Sequence, residues 1–122
     1  MKKKVLFVED ESQIREIILE RLTAMDFEVV VAKDGREGLR LVRTERPDMV
    51  LLDLILPKLD GYKLCRMIKF DITLEHIPVI ICSALGSDED KTLAEQAGAN
   101  AYMIKPFDID LFVPLVQKLT GV

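Results

Sequence analysis

Short apolar runs alternate along the chain with longer segments whose apolar residues recur three or four positions apart. KVLFV (residues 4–8), FEVVV (27–31), DMVLL (48–52), PVIIC (78–82) and AYMI (101–104) are brief, bounded and rich in Val, Ile and Leu. That is the pattern of strands covered on both faces. Between them, Ile14, Ile17, Ile18, Leu22 and Met25 follow Ser12, an expected N-cap. Leu39 and Val42, then Leu64 and Ile68, then Leu93 and Ala97 mark further helices with polar outer faces. Ser87 and Asp90 form a capping-box pair before the fourth helix, and Asp88 and Glu89 suit its positive end. Asp108 or Asp110 opens a fifth helix carrying Leu111, Phe112, Leu115, Val116 and Leu119, with Pro114 predicted to kink it or delay its start. Crossovers of helical length force parallel strands and, being right-handed, place helices on both sheet faces. The pattern predicts an α/β fold: a single doubly wound (βα)5 domain.

In such sheets, ligands bind beyond the carboxyl ends of the strands, where the strand order reverses. The residues just past the predicted strands are Glu9 and Asp10, Asp53, Ser83 and Lys105. With the common order 2-1-3-4-5, the first and third strands are neighbours, so Glu9, Asp10 and Asp53 converge and Ser83 and Lys105 extend the row. One acid after a strand is ordinarily a turn former or a helix cap. Five polar residues meeting at one edge point instead to a site.

Composition narrows the chemistry. With 122 residues, 49% of them hydrophobic, the chain fits one domain around one core. A formal charge of −4 supplies no basic excess for a phosphate backbone, so direct nucleic-acid binding is not expected. The basic start MKKK precedes only four apolar residues, too few for a secretion signal, and no stretch approaches the ~20 apolar residues of a membrane span. Cys65 and Cys82 lack C-x-x-C spacing and read as reduced thiols of a cytoplasmic protein. His76 reads as a solvated loop residue. Neither G-x-G-x-x-G nor G-x-x-x-x-G-K-[ST] occurs, which removes the usual phosphate cradles for a nucleotide.

Clustered carboxylates repel one another unless a cation neutralises them. Oxygen donors without Cys or His favour Mg²⁺, which is held by a few carboxylates plus phosphate oxygens. The combination of metal, carboxylate and lysine points to phosphoryl transfer onto a carboxylate. Asp53 is the nucleophile, the metal and Lys105 balance charge, and Ser83 donates to a phosphoryl oxygen.

These residues give the chain a resemblance to the response-regulator receiver domains of two-component phosphorelays. The acidic pair is Glu9-Asp10, the D-x-x-x-P-x-x-D-G signature is Asp53, Pro57, Asp60 and Gly61, the hydroxyl-Ala step is Ser83-Ala84, and K-P-F is Lys105-Pro106-Phe107. The resemblance implies a flavodoxin-like receiver domain over residues 1–122. In it, Asp53 accepts a phosphoryl group from a phosphohistidine of a sensor histidine kinase or histidine phosphotransfer protein. It further implies that Mg²⁺ is held by Glu9, Asp10, Asp53 and the backbone carbonyl of Ile55, and that Lys105 pairs with Asp53 before transfer. Pro106 is expected in the cis form. Ser83 and Tyr102 are the implied switch pair, although Tyr102 also reads as a half-buried strand aromatic with its hydroxyl in water. Such a domain is a phosphoacceptor rather than an enzyme, assisting its own phosphoryl transfer and dephosphorylation.

The implied readout surface is the fourth helix, fifth strand and fifth helix, facing a downstream effector, an output domain or a second copy in a homodimer. Leu111 and Val113 add apolar surface to the fifth helix beyond one face, which suits a partner or equally its burial against the fourth helix. No output domain follows KLTGV, so a stand-alone receiver and part of a longer regulator both fit. A Mg²⁺-dependent phosphohydrolase would use the same Asp53 and Lys105, but a second acid two residues after Asp53 is missing. A never-phosphorylated binding module conflicts with the intact acceptor chemistry. Glu9 for aspartate and Ser83 for the more frequent threonine remain within the family pattern. Ile55 and Leu85, each two residues beyond a site residue, place bulky apolar groups where hydrolytic water would approach. Replacing both with small polar residues is expected to shorten the phosphoaspartate lifetime in a mass-spectrometric decay assay. An unchanged decay rate would refute the shielding role.

Overall fold

The computed structural model describes residues 2–54, 56, 58–84, 86–105 and 109–120. In α5, the described side chains are those of Phe112, Pro114, Leu115, Gln117, Lys118 and Leu119. Five strands and five helices alternate: β1 Lys4–Val8, α1 Ser12–Ala24, β2 Glu28–Ala32, α2 Gly35–Glu45, β3 Met49–Asp53, α3 Gly61–Lys69, β4 Val79–Ser83, α4 Asp88–Gln96, β5 Ala101–Ile104 and α5 Ile109–Thr120. All paired strands are parallel and the order is β2-β1-β3-β4-β5, the doubly wound sheet that the pattern predicts.

The strands are apolar throughout because both faces are covered. Successive residues alternate between two cores, as the two-residue side-chain period of a strand requires. Leu6, Val8, Val50, Leu52, Val79 and Ile81 pack with Val42 of α2, Leu64 and Ile68 of α3, and Ala94 of α4. Val5, Phe7, Met49, Leu51, Ile80 and Cys82 pack with Ile18 and Leu22 of α1 and Phe112 of α5. Burying one such aliphatic side chain contributes roughly 1.5–3 kcal/mol. Both cysteines are free and buried, Cys65 with its Sγ 3.5 Å from the Ala97 carbonyl.

Several sequence expectations need correcting. β2, β3 and β4 each begin and end one residue later than their apolar runs. Asp53 and Ser83 are therefore the last residues of strands, in register with Cys82 and Ile104, rather than the first residues beyond them. The ladder continues while a partner strand runs alongside, whatever the side chain. Ser12 is the first helical residue and Glu11 takes the N-cap position without a side-chain cap bond. Arg15 anchors this end instead, donating to the carbonyls of Glu9 (2.9 Å) and Asp10 (2.8 Å). Ile17 and Leu93, counted with the apolar stripes of α1 and α4, are 54% and 41% exposed. The small Ala94 of α4 and Ala97 at its C-cap face the core, allowing close approach to the sheet. α5 runs through Pro114, so the helix is not delayed to follow it. Asp108 lies outside the described residues.

The predicted capping box of α4 is present, and α3 is capped by Asp60. Asp60 accepts from the Lys63 amide at 2.9 Å, and Ser87 and Asp90 complete a reciprocal capping box. Asp34 caps α2, accepting from the Glu37 amide at 2.9 Å. The next residue, Gly35, sits where the loop after β3 crosses α2: a Cβ there would lie 1.9 Å from the Leu59 carbonyl oxygen. At Gly38 a Cβ would meet only the tips of Val8 and Leu64 at 3.0–3.3 Å. Gly35→Ala is therefore expected to lower stability by about 1–3 kcal/mol, and Gly38→Ala by less, in urea unfolding. Equal midpoints for the two variants would refute the backbone clash.

Candidate functional site

Four strand ends build the site. Glu9 leaves β1 with its amide donating to the Ala32 carbonyl at 3.0 Å, which keeps the chain extended and turns the carboxylate inward. Glu9 is fully buried, Asp53 nearly so, and Asp10 is exposed at the rim. Carboxylate oxygens of Glu9, Asp10 and Asp53 all lie within 4.8 Å of one another. From the other side of β3, the Lys105 amide donates to the Ser83 carbonyl at 2.8 Å, extending the β4–β5 pairing past β5 and aiming the side chain back across the strand ends. Its Nζ donates to Asp53 Oδ2 at 3.1 Å and to Glu9 Oε1. A cleft of about 300 Å³ opens above, lined by Asp10, Glu11, Ile14, Asp53, Ser83, Ala84 and Lys105.

Below Asp53 the described residues leading into α3 are tightly held. The Gly61 amide donates to the Leu54 carbonyl at 2.9 Å, and a Cβ at Gly61 would lie 2.3 Å from the Asp53 carbonyl oxygen. Lys58, at φ 69°, reaches Asp34 at 3.5 Å and ties the same loop to the start of α2. The Tyr62 hydroxyl donates to the Asp90 carbonyl at 3.2 Å, linking α3 to the first turn of α4. Burial, with the Asp90 charge beside it, pushes the Tyr62 pKa to about 12, so the phenol remains a donor. Ser83 is buried and hydrogen-bonds with Tyr102. Burial raises the Tyr102 pKa, and that bond opposes the rise.

The structure thus brings Glu9, Asp10, Asp53, Ser83 and Lys105 to one edge, with Tyr102 against Ser83. Tyr102 is half-buried and bonded, which goes beyond an aromatic with its hydroxyl simply in water. Ile55, Pro57, Leu85, Pro106 and Phe107 lie outside the described residues. His76 is exposed, as expected of a loop residue. Three features escaped the sequence reading: the Glu9–Lys105 contact, the Arg15 anchor and the Tyr62–Asp90 bond. An arginine three residues into a helix and a tyrosine after the D-G step carry no pattern that announces these partners.

The electrostatics follow from burial. Burial pushes the Glu9 pKa above its ordinary 4.5, and the neighbouring Asp53 charge adds to this, against the attraction of Lys105. Burial works against the Lys105 charge as well, but the bond to Glu9 and the Asp53 charge outweigh it and hold its pKa above 10.5. Three carboxylates without Cys or His suit a hard, oxygen-seeking divalent ion, and their spacing lets one ion reach all three. The donor set fits Mg²⁺.

Glu9, with its pKa raised on folding, contributes stability that is present below pH 4.5 and is lost as pH rises through the folded value. Removing Lys105 takes away the opposing attraction and steepens that loss. In EDTA, Lys105→Met is expected to cost about 1–3 kcal/mol more at pH 8 than at pH 4, measured by urea unfolding. A pH-independent cost would show that the ammonium does not hold Glu9 ionised.

Comparison with known proteins bears on the family and the fold. The family model described as response regulator receiver domain matches residues 5–117. The transcriptional regulatory protein CseB of Streptomyces coelicolor is 46% identical over 115 residues, 94% of this chain and 48% of that protein. The alkaline phosphatase synthesis transcriptional regulatory protein PhoP of Bacillus subtilis is 37% identical over 107 residues, 88% of this chain and 44% of that protein. The chain thus spans less than half the length of these curated relatives. The receiver domain of the Francisella response regulator 1452 superposes with a TM-score of 0.90 at 33% identity, covering 98% of each chain. Among the described residues, no helix is long and apolar enough to cross a membrane. With the family model matched over most of its length, the chain belongs to the response-regulator receiver domains, the phosphorylation-based signalling domains of two-component systems.

Proposed function

We propose that residues 1–122 form one receiver domain in which Asp53 is the phosphoacceptor and a sensor histidine kinase or histidine phosphotransfer protein is the donor. The observation that carries this reading is the Asp53 carboxylate at the cleft floor, with the Glu9 and Asp10 oxygens within 4.8 Å and Lys105 Nζ at 3.1 Å. An Asp53 oxygen attacks phosphorus in line, the O–P bond forms, and the donor imidazole leaves with the electron pair of the broken P–N bond. Lys105 holds the carboxylate in place beforehand and pairs with the phosphoryl oxygens afterwards. The Ser83 hydroxyl donates to one of those oxygens, and Ala84 beside it is small enough to leave the approach open.

Glu9, Asp10, Asp53 and the Ile55 backbone carbonyl would hold Mg²⁺, which supplies positive charge opposite the phosphoryl oxygens when bound. The same groups would serve when water removes the phosphoryl group, so the domain assists both directions without acting on an external substrate.

Phosphorylation adds up to about two negative charges and new acceptor oxygens to the site. Drawing the Ser83 hydroxyl toward the phosphoryl group breaks its bond with Tyr102, the route by which the change reaches the face of α4, β5 and α5. Leu93 of α4 and Ile104 of β5, both partly exposed, lie on that face and support its role in contacting a downstream effector, an output domain or a second copy. A shift from about 1% to 99% active requires a bias of roughly 5.5 kcal/mol. The side chains of Leu111, Val113 and Val116 lie outside the described residues. The reading places the domain in the cytoplasm, acting through proteins without direct contact with nucleic acid or membrane.

Incubation with Mg²⁺ and acetyl phosphate is expected to add one phosphoryl group by intact-mass spectrometry, with none added in EDTA or to Asp53→Asn. An unmodified wild-type chain, or a modified Asp53→Asn chain, would sink the assignment.

A further inference from the structure

The strongest unexplained surface lies away from the site, on the outer face of α2 and α3. Arg36, Arg40 and Arg43 recur at helical spacing on α2 and are all exposed, so they form one stripe. On the neighbouring α3, Lys63 and Arg66 form a second exposed stripe that runs on into Met67 and Phe70. Among the described residues, none of these five cations forms an ion pair with a carboxylate. The nearby acids are engaged locally: Asp60 accepts from the Lys63 amide at 2.9 Å, and Asp71 accepts from the Thr73 amide at 2.8 Å and hydroxyl at 2.7 Å, with the Arg43 and Arg46 charges a smaller influence on it. A chain of net charge −4 therefore carries one concentrated basic face.

At the C-terminal end of α3 this face becomes apolar. Met67, Phe70 and Ile72 are 41%, 68% and 83% exposed. Met67 and Phe70, with Arg43, Arg66 and Asp71, line a shallow groove that lies wide open to solvent. Exposed apolar clusters rimmed by polar groups mark interaction sites, and Phe, Met and Arg are the residue types enriched in them. α3 begins beside the Asp53 carbonyl and runs nine residues away from it, so the groove sits about 13 Å down the helix. A partner seated there leaves the cleft open.

We infer that the α2–α3 face docks an acidic amphipathic helix of a partner protein. Its carboxylates would run along the arginine and lysine stripes and one large apolar side chain would seat between Met67 and Phe70. Charge complementarity selects the acidic partner. The apolar groove disfavours a nucleic-acid backbone, which offers no side chain to fill it. Concentration of the apolar residues at one end fits a single anchor rather than the continuous apolar face that a membrane surface takes.

The test is selection from a random peptide display library on the immobilised wild-type chain, with counter-selection on Phe70→Ser. Enriched peptides are expected to carry excess acid around an aromatic or aliphatic anchor at helical spacing. Both Phe70→Ser and the double variant Arg43→Glu/Arg66→Glu are expected to weaken them at least about tenfold. All these positions are exposed, and unchanged circular dichroism and phosphorylation by acetyl phosphate confirm that the variants fold. The inference is overturned if no peptide is enriched, if the enriched peptides lack acidic excess, or if they bind the variants equally. It is also overturned if the property lost in Phe70→Ser is instead self-association in sedimentation, binding to duplex DNA, or binding to phosphatidylserine vesicles.

Discussion

The buried Glu9 carboxylate, held by an ammonium from the far side of the sheet, is the constraint around which the rest is arranged. A fully buried acid beside a second, nearly buried one is unfavourable in isolation. Lys105 offsets both at once, which requires β1, β3 and β5 to deliver their ends to one place. The parallel register does this. β3 lies between β1 and β4, β5 follows β4, and each strand ends at the same edge, so side chains distant in sequence meet without any long loop. Helices then cover both faces because the strands between them are apolar on both.

The same constraint explains why the described residues between Asp53 and α3 are so closely braced. Asp53 terminates a strand, and within a few residues the chain must turn into α3 without dragging the carboxylate out of reach of Lys105. Gly61 lets the backbone return against the Asp53 carbonyl, Asp60 closes the first turn of α3, and Lys58 reaches Asp34 at the start of α2. Tyr62 then links α3 to α4 through Asp90. Contacts of this kind are modest one by one, each hydrogen bond netting about 1 kcal/mol. Together they define where the Asp53 carboxylate sits relative to the two helices flanking it.

Much of this was legible in the sequence because the dominant signals are periodic. Central strands buried on both faces read as unbroken apolar runs, and the site residues stand out as the first polar residues after them. The Ser87–Asp90 box was readable because capping is local chemistry. What the pattern could not supply depended on three dimensions. Strand ends slipped by one residue because pairing, not hydrophobicity, ends a strand. Leu93 and Ile17 point to water because helical spacing leaves two candidate faces, and only packing against the sheet chooses between them. Lys105 touches Glu9 as well as Asp53 because the β1 end lies within its reach, a relation between residues that no window along the chain contains.

Glu9 and Lys105 are separated by 96 positions. Glu9, Asp10 and Asp53 are encoded early, yet the ammonium that balances them arrives only after β5 has paired with β4. During synthesis, then, the carboxylates emerge long before their counter-charge, and an incompletely made or unravelled chain presents Glu9 and Asp53 without the ammonium that holds them. The charge balance of the cluster is therefore complete only once the sheet has closed to its last strand, and the contact between its two ends doubles as an inspection of the finished fold.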